Sequence, residues 1–440
     1  LDDLLRSKDM ISGKRKIYGF IAAALLILLT VQPSLAEELE ASDQASRPSL
    51  GGPDAVVNLM ESDRADKDAL YEFRLLKPYF DWKDGIKEKY GLAFGSDYTG
   101  VYLTANDNLP GTDDYASGGM VRFFGVWELL GRGTDTSGAL SFKVDHRHGY
   151  SDTAPAGFSL DSLGDVGSIA STFNDEGWRL TNLHWRQSWN KDRLVVLAGF
   201  LSPPDFVDTY GLGSPWLHFM ALAFTTGAGT ISLPGDSAMG LAIGGWLNEN
   251  LYIMAGFEDA NSDPTDPFEG FNTFFEDHEY FKHIEIGWTT SKDRAYLDNL
   301  HLTMWHVDER EEAGVDDGWG GVLSFTHYID DKWMPFIRAG YAKDGASLLE
   351  RSVSTGVAYQ PNPIGATAGN LLGFGANWGK PNEAVFGSGL DDQYAFELFY
   401  RLQVTKELAI TPDIQFLMNP ALNPDEDNIW VFGLRARLAL

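Results

Sequence analysis

Several stretches of this chain carry residue types that could do chemistry, and their spacing limits what each could do. Asp259, Asn261 and Asp263 alternate as the first ligands of a calcium loop do, but Pro264 stands where that loop needs Gly. Gly270 then stands where its bidentate Glu belongs. This leaves room only for a loosely held divalent cation at the acidic loops, and no cofactor is expected. His278-Glu279 followed by His283 has the wrong interval for a zinc-protease helix. Gly235-Asp236-Ser237 has a hydrolase-like Ser but no nucleophile-elbow context. His146 and His148 share one strand face, which would suit a metal, yet their aromatic surroundings favour an interfacial role. The reading is therefore no enzyme, no catalytic residues and no metal ligands.

A different pattern is more informative. Lys143, Asp145 and Arg147 lie two apart, and so on a strand they project from one face. The same inward register would gather Arg122 and Glu128, His184 and Arg186, Arg338, Glu397 and Arg401, and Arg435 and Arg437. Such side chains can hydrogen-bond hydroxyl groups weakly and reversibly, or pair with one another. A long connection at 202–237 adds Asp205, Asp208, Tyr210, Trp216 and His218, again types suited to contacting polar solutes. Its length and mixed apolar character argue for a folded segment rather than a free loop.

The elements that would position these residues are strands. In 393-QYAFELFYRLQVT, Tyr394, Phe396, Leu398, Tyr400 and Leu402 alternate with Glu397, Arg401 and Gln403. In the closing stretch, Trp430, Phe432, Leu434 and Leu438 oppose Arg435 and Arg437. Sixteen such segments can be marked, at 91–103, 118–130, 138–149, 179–190, 193–201, 238–248, 250–258 and 281–291 in the first half. The second half supplies 297–308, 318–328, 332–343, 350–360, 370–379, 392–405, 407–418 and 428–440. The twelfth and thirteenth are the weakest, because Gly and Pro blur the alternation near 361-PNPIG. Connections alternate between short, Asn/Asp/Gly-rich turns and long loops.

Sheets with one wholly apolar face, about ten residues tall, suit a bilayer if they close. Every backbone polar group in hydrocarbon must be paired, and a closed barrel has no open edge. The fold class expected is therefore all-β: a 16-stranded antiparallel transmembrane β-barrel over 91–440, preceded at 37–90 by a partly helical periplasmic or plug segment. A β-propeller would show a repeat of about 40–50 residues, and none is visible.

Lys14, Arg15 and Lys16, the apolar run 17–31 and Ser34-Leu35-Ala36 read as a signal peptide over 1–36, with 1–9 an over-call upstream of Met10. The 440 residues contain no Cys, so disulfides and thiolate metal sites are excluded. A formal charge of −29 makes nucleic acid an unsuitable partner.

With those strands placed, the chain resembles the carbohydrate-selective porin family (OprB-type) of Gram-negative outer membranes. The resemblance is carried by 142-FKVDHRHGY, 176-EGWRLTNLHWRQ, 257-FEDANSDP, 397-ELFYRLQVTKELAITPDIQFLMNP and 432-FGLRARLAL. It implies a sixteen-stranded channel in the cell outer membrane that passes small sugars down a gradient. It also implies contact with lipid and lipopolysaccharide, insertion by the barrel-assembly machinery, and a constriction formed by 202–237. The family's usual terminal Phe is replaced here by Leu440. The sequence leaves open a general or other-nutrient porin and, from a different class, a barrel-borne hydrolase. It does not decide the oligomeric state.

Overall fold

In the computed structural model the described residues are 51–440, apart from 73–74, 168 and 363–366. The expected signal peptide and the rest of the chain before Gly51 lie outside them. The sixteen strands are β1 (Leu92–Ala105), β2 (Tyr115–Leu130), β3 (Ser137–Gly149), β4 (Gly177–Trp189), β5 (Leu194–Leu201), β6 (Ala238–Trp246), β7 (Leu251–Asp259) and β8 (Tyr280–Thr289). They continue with β9 (Asn299–Val307), β10 (Gly318–Thr326), β11 (Trp333–Asp344), β12 (Leu349–Tyr359), β13 (Leu371–Pro381), β14 (Gln393–Gln403), β15 (Leu408–Met418) and β16 (Asn428–Ala439). Each expected span coincides with one of them to within three residues.

Every strand pairs antiparallel with its sequence neighbours, and β1 pairs with β16 from Asp97↔Ala439 to Ala105↔Val431, so the sheet closes. Closure leaves no unpaired edge, as a membrane-spanning sheet requires. The tight turns are made by residues that tolerate left-handed backbone: Asn190, Lys191 and Asp192 between β4 and β5, and Asp330 and Asp331 between β10 and β11. Pro412 has no N–H for the ladder, and the β14–β15 register skips its partner Tyr400 while keeping register on both sides.

Alternation sorts the two faces. Trp430, Phe432, Leu434 and Leu438 of β16 are exposed on the outside, while Val431, Arg435 and Arg437 are buried inside. The inner face is not simply polar, however. It carries Phe124, Trp246, Trp305, Phe336 and Phe399, all buried, because the lumen is filled by chain that needs a core to pack on.

That chain comes from three places. The connection 202–237 packs Phe206, Val207 and Ile231 on the wall of β5–β11, and Tyr210, Phe219 and Phe224 on Phe336, Leu371 and Phe399. The connection 150–176 brings Phe158, Leu163, Ile169 and Phe173 to a cluster with Val101, Met120 and Trp216. The third is N-terminal: α1 (Val56–Arg64) places Val56 and Leu59 in that same cluster. A second helix, α2 (Lys77–Tyr90), starts with Pro78 in its first turn and ends on left-handed Gly91, directly before β1.

Candidate functional site: the lumen and its inserted loop

The segment 202–237 has no regular ladder, so its buried N–H and C=O groups must find partners elsewhere. The wall supplies them. Glu397 on β14 accepts the N–H groups of Met220 at 2.6 Å and Ala221 at 3.0 Å. Arg435 on β16 donates to the carbonyls of Pro215 (2.5 Å) and His218 (2.8 Å). Arg401 donates to the carbonyls of Leu217 (3.0 Å) and Gly369 (2.7 Å), and Ser354 to that of Ala223 (2.7 Å). The inward charges of the wall thus act as hydrogen-bonding clamps on an inserted loop.

Asp208 is the loop's own anchor. It pairs with Arg338 on β11 and His301 on β9 (2.8 Å), and accepts the N–H of Gly227 at 2.6 Å; its own N–H donates to Glu285 at 2.9 Å. The Arg338 guanidinium also lies 4.5 Å from the ring centre of Tyr210, whose hydroxyl donates to the carbonyl of Phe224. Burial alone would raise the Asp208 carboxyl, but Arg338, His301 and the Gly227 N–H outweigh it and hold it below the usual range.

A second anchor lies nearby. Lys143 on β3 reaches both oxygens of Asp205 at 2.8 Å, and Asn182 on β4 adds a bond at 3.1 Å. A bulge in β4 turns both Thr181 and Asn182 inward, which brings the amide to this site and the Thr181 hydroxyl to Asp145. Burial is the largest influence on Asp205 and raises it. Lys143 pulls it back, the neighbouring Asp54 and Asp236 raise it again, and it ends at about 6. His218 is pushed well down by burial and by Arg401 and Arg435, so its imidazole is neutral beside Thr367.

The third feature is a line of alternating charge. Arg122 on β2 grips Asp97 on β1 at 2.9 and 2.5 Å, and Arg437 on β16 bonds the same carboxylate at 2.7 Å. Arg437 then reaches Asp63 of α1 at 2.6 and 2.8 Å. Trp216 closes the other end, its ring centre 4.5 Å from the Arg122 guanidinium.

The expected pore residues all sit on the inner face or in the inserted loop, but most have protein partners rather than an open frontage. Arg147 pairs with Asp145 (3.0 Å) and Asp236 (3.3 Å), and Arg186 pairs with Asp192 in the adjoining turn (2.7 Å). His184, Arg186 and Asp205 share a small cavity with Val57 and Phe206, while Glu128 is half-buried near the C-terminal end of β2. Sequence reasoning missed Asp54, Asp63, Asp97, Glu285 and His301. Asp97 stands in the inward register of β1 and Glu285 in that of β8, so alternation could have found both. Nothing local marks Asp54 or Asp63.

His146 and His148 face outward. His146 meets the Trp178 ring at 5.0 Å, and His148 bonds Tyr98 (3.2 Å) and Tyr150 (2.9 Å). Asp259 accepts the Asn261 N–H at 3.0 Å and the Thr273 hydroxyl. Among the described residues no three His, Asp or Glu side chains converge closely enough to hold an ion.

With this geometry in place, comparison with known proteins is decisive. Residues 129–440 match the family described as carbohydrate-selective porin, OprB family. The chain belongs to it. Curated relatives include porin AaxA of Chlamydia felis, 24% identical over 322 residues that cover 71% of this chain and 69% of that protein. Porin AaxA of Chlamydia pneumoniae is 23% identical, with 72% and 70% covered. The high-pH structure of Pseudomonas putida OprB shares the fold with a TM-score of 0.61 and 16% identity, covering 82% of this chain and 97% of that one. The porin is thus a β-barrel channel of the outer membrane and not an enzyme.

Proposed function

We propose that this porin passes small, uncharged carbohydrates by passive and weakly selective diffusion. The observation that carries the reading is the polar architecture of the lumen. Cationic and anionic side chains face each other there in close pairs, as in Lys143–Asp205 and Arg147–Asp236, beside the Trp216 ring. Paired charges leave no net field that would hold an ion, the donors and acceptors they leave over can bond hydroxyl groups, and weak contact lets a solute leave as readily as it enters. The family's description as carbohydrate-selective supports the same solute class, and the chain's acidity disfavours anionic solutes. Arg122, Glu128, Lys143, Asp145, Arg147, His184, Arg186, Arg338, Glu397, Arg401, Arg435 and Arg437 are the wall residues of this route. Asp205, Asp208, Tyr210, Trp216 and His218 are its constriction.

Swelling of liposomes containing the refolded porin tests this directly. Monosaccharides and disaccharides should enter faster than organic anions of equal size, with rates falling steeply as chains lengthen. Equal rates for sugars and anions would leave a general porin as the correct reading.

A further inference from the structure

The inserted loop 202–237 is not alone inside the barrel. Residues 51–64 enter the barrel beside it and are held at both ends. At the upper end, the Gly52 N–H donates to the carbonyl of Asp205 at 2.7 Å, and Lys143 donates to the carbonyl of Asp54 at 3.1 Å. Ser214 of the loop donates to the Asp54 carboxylate at 2.6 Å. The approach is close enough that a Cβ on Gly52 would stand 2.6 Å from the Thr209 Cβ, which only glycine permits. At the lower end, Asp63 closes the buried charge line Asp63–Arg437–Asp97–Arg122. Beyond it, the N–H groups of Leu70 and Tyr71 bond the carbonyls of Gln403 (3.0 Å) and Val404 (2.9 Å) at the turn between β14 and β15.

Two consequences follow. The segment occupies lumen cross-section at the depth of Lys143 and Asp205, so it restricts whatever path remains. It is also fixed, because withdrawing it would break the bonds from Arg437 to Asp63 and from Lys143 to the Asp54 carbonyl and expose Val56 and Leu59. The family match begins at residue 129, so this segment lies outside it. From these contacts we infer that residues 51–64 form a fixed second wall of the constriction and set the size limit of the pore. Ala55 and Val57 face the small cavity shared with Ser141, His184 and Arg186, and a cavity of about 710 Å³ lies below, lined by Asp63, Lys67, Phe80, Phe94 and Glu407. A solute leaving the constriction passes along this wall into that vestibule.

This inference rests on the channel reading but not on sugar preference, so conductance in potassium chloride tests it separately. The chain has no Cys, and Ala55→Cys gives a single thiol on the segment. In planar bilayers, a bulky methanethiosulfonate reagent should cut the unit conductance of Ala55→Cys by at least half and leave the parent protein unchanged. Absence of any change would overturn the inference. A variant lacking residues 37–64, with its folding checked by heat-modifiable gel mobility, should conduct severalfold more and admit longer oligosaccharides. An unchanged size limit in that folded variant would equally refute it. Finally, the pair Asp54→Cys and Ser214→Cys replaces a hydrogen-bonded contact between segment and loop, and once oxidation is verified by loss of both free thiols, conductance should be unaltered. Closure on oxidation would show a moving gate instead of a fixed wall.

Discussion

The outer and inner faces of β16 belong to the same twelve residues yet solve opposite problems. Outside, Trp430, Phe432, Leu434 and Leu438 need no particular partner, since any apolar side chain is satisfied by lipid. Inside, Arg435 and Arg437 each need named acceptors: two loop carbonyls for one, Asp63 and Asp97 for the other. The outer face is specified by composition and the inner face by correspondence. A change outside should therefore be graded by polarity, whereas a change inside should depend on who is left behind.

The largest effect should come from the inner face. Arg338→Met would leave Asp208 buried without its cation, and losing one partner of a buried pair costs about 3–5 kcal/mol. The inserted loop should loosen, seen as a lower thermal transition and noisier current. Adding Asp208→Asn should recover much of the loss, because the stranded charge is then gone. Arg338 also donates to the Thr225 carbonyl, so failure of that rescue would mean it acts mainly through that bond and the Tyr210 ring.

Next comes the outer face. Leu434 lies midway along β16, and Leu434→Arg should cost about 2–4 kcal/mol, the range for a cation facing mid-bilayer lipid. The neighbouring Arg435 carries the same group one residue away without that penalty. Chemical unfolding in lipid vesicles would measure the difference, and an unaffected Leu434→Arg would break the contrast between the faces.

A smaller effect belongs to the loop 150–176. Burial raises Asp165 to about 6, and the Ser159 hydroxyl only partly offsets this. A carboxyl with a raised folded pKa is more protonated in the folded state, so its contribution falls as pH rises from about 4 to 6. Asp165→Asn should stabilise the protein at pH 7 by up to about 3 kcal/mol and remove that part of the pH dependence. An unchanged pH profile would place the dependence on other groups.

These contrasts also explain what could be seen in the sequence. Period-two alternation depends only on neighbours along the chain, so the strands, the closure by β16 and the inward face of Lys143, Asp145 and Arg147 were all legible. The insertion of 202–237 was legible too, from its length and apolar content. Partnerships were not. Asp63 reads as an ordinary surface helix acid, and only the threading of 51–64 makes it the counter-ion of a residue near the other terminus. The inward arginines were expected to contact a polar solute or pair with other charges, yet Arg338, Arg401 and Arg435 hold backbone carbonyls, because nothing in a strand pattern reveals how much backbone the lumen must accommodate.

Small sugars are proposed to pass through this lumen. Single-channel recording in potassium chloride, with glucose and then a maltodextrin series added, tests it most directly. Sugar occupying the constriction should reduce the ionic current in a saturable manner, first strengthening with oligosaccharide length and then vanishing once the chain is too large to enter. Current that stays independent of every sugar, in channels that otherwise conduct normally, would contradict it.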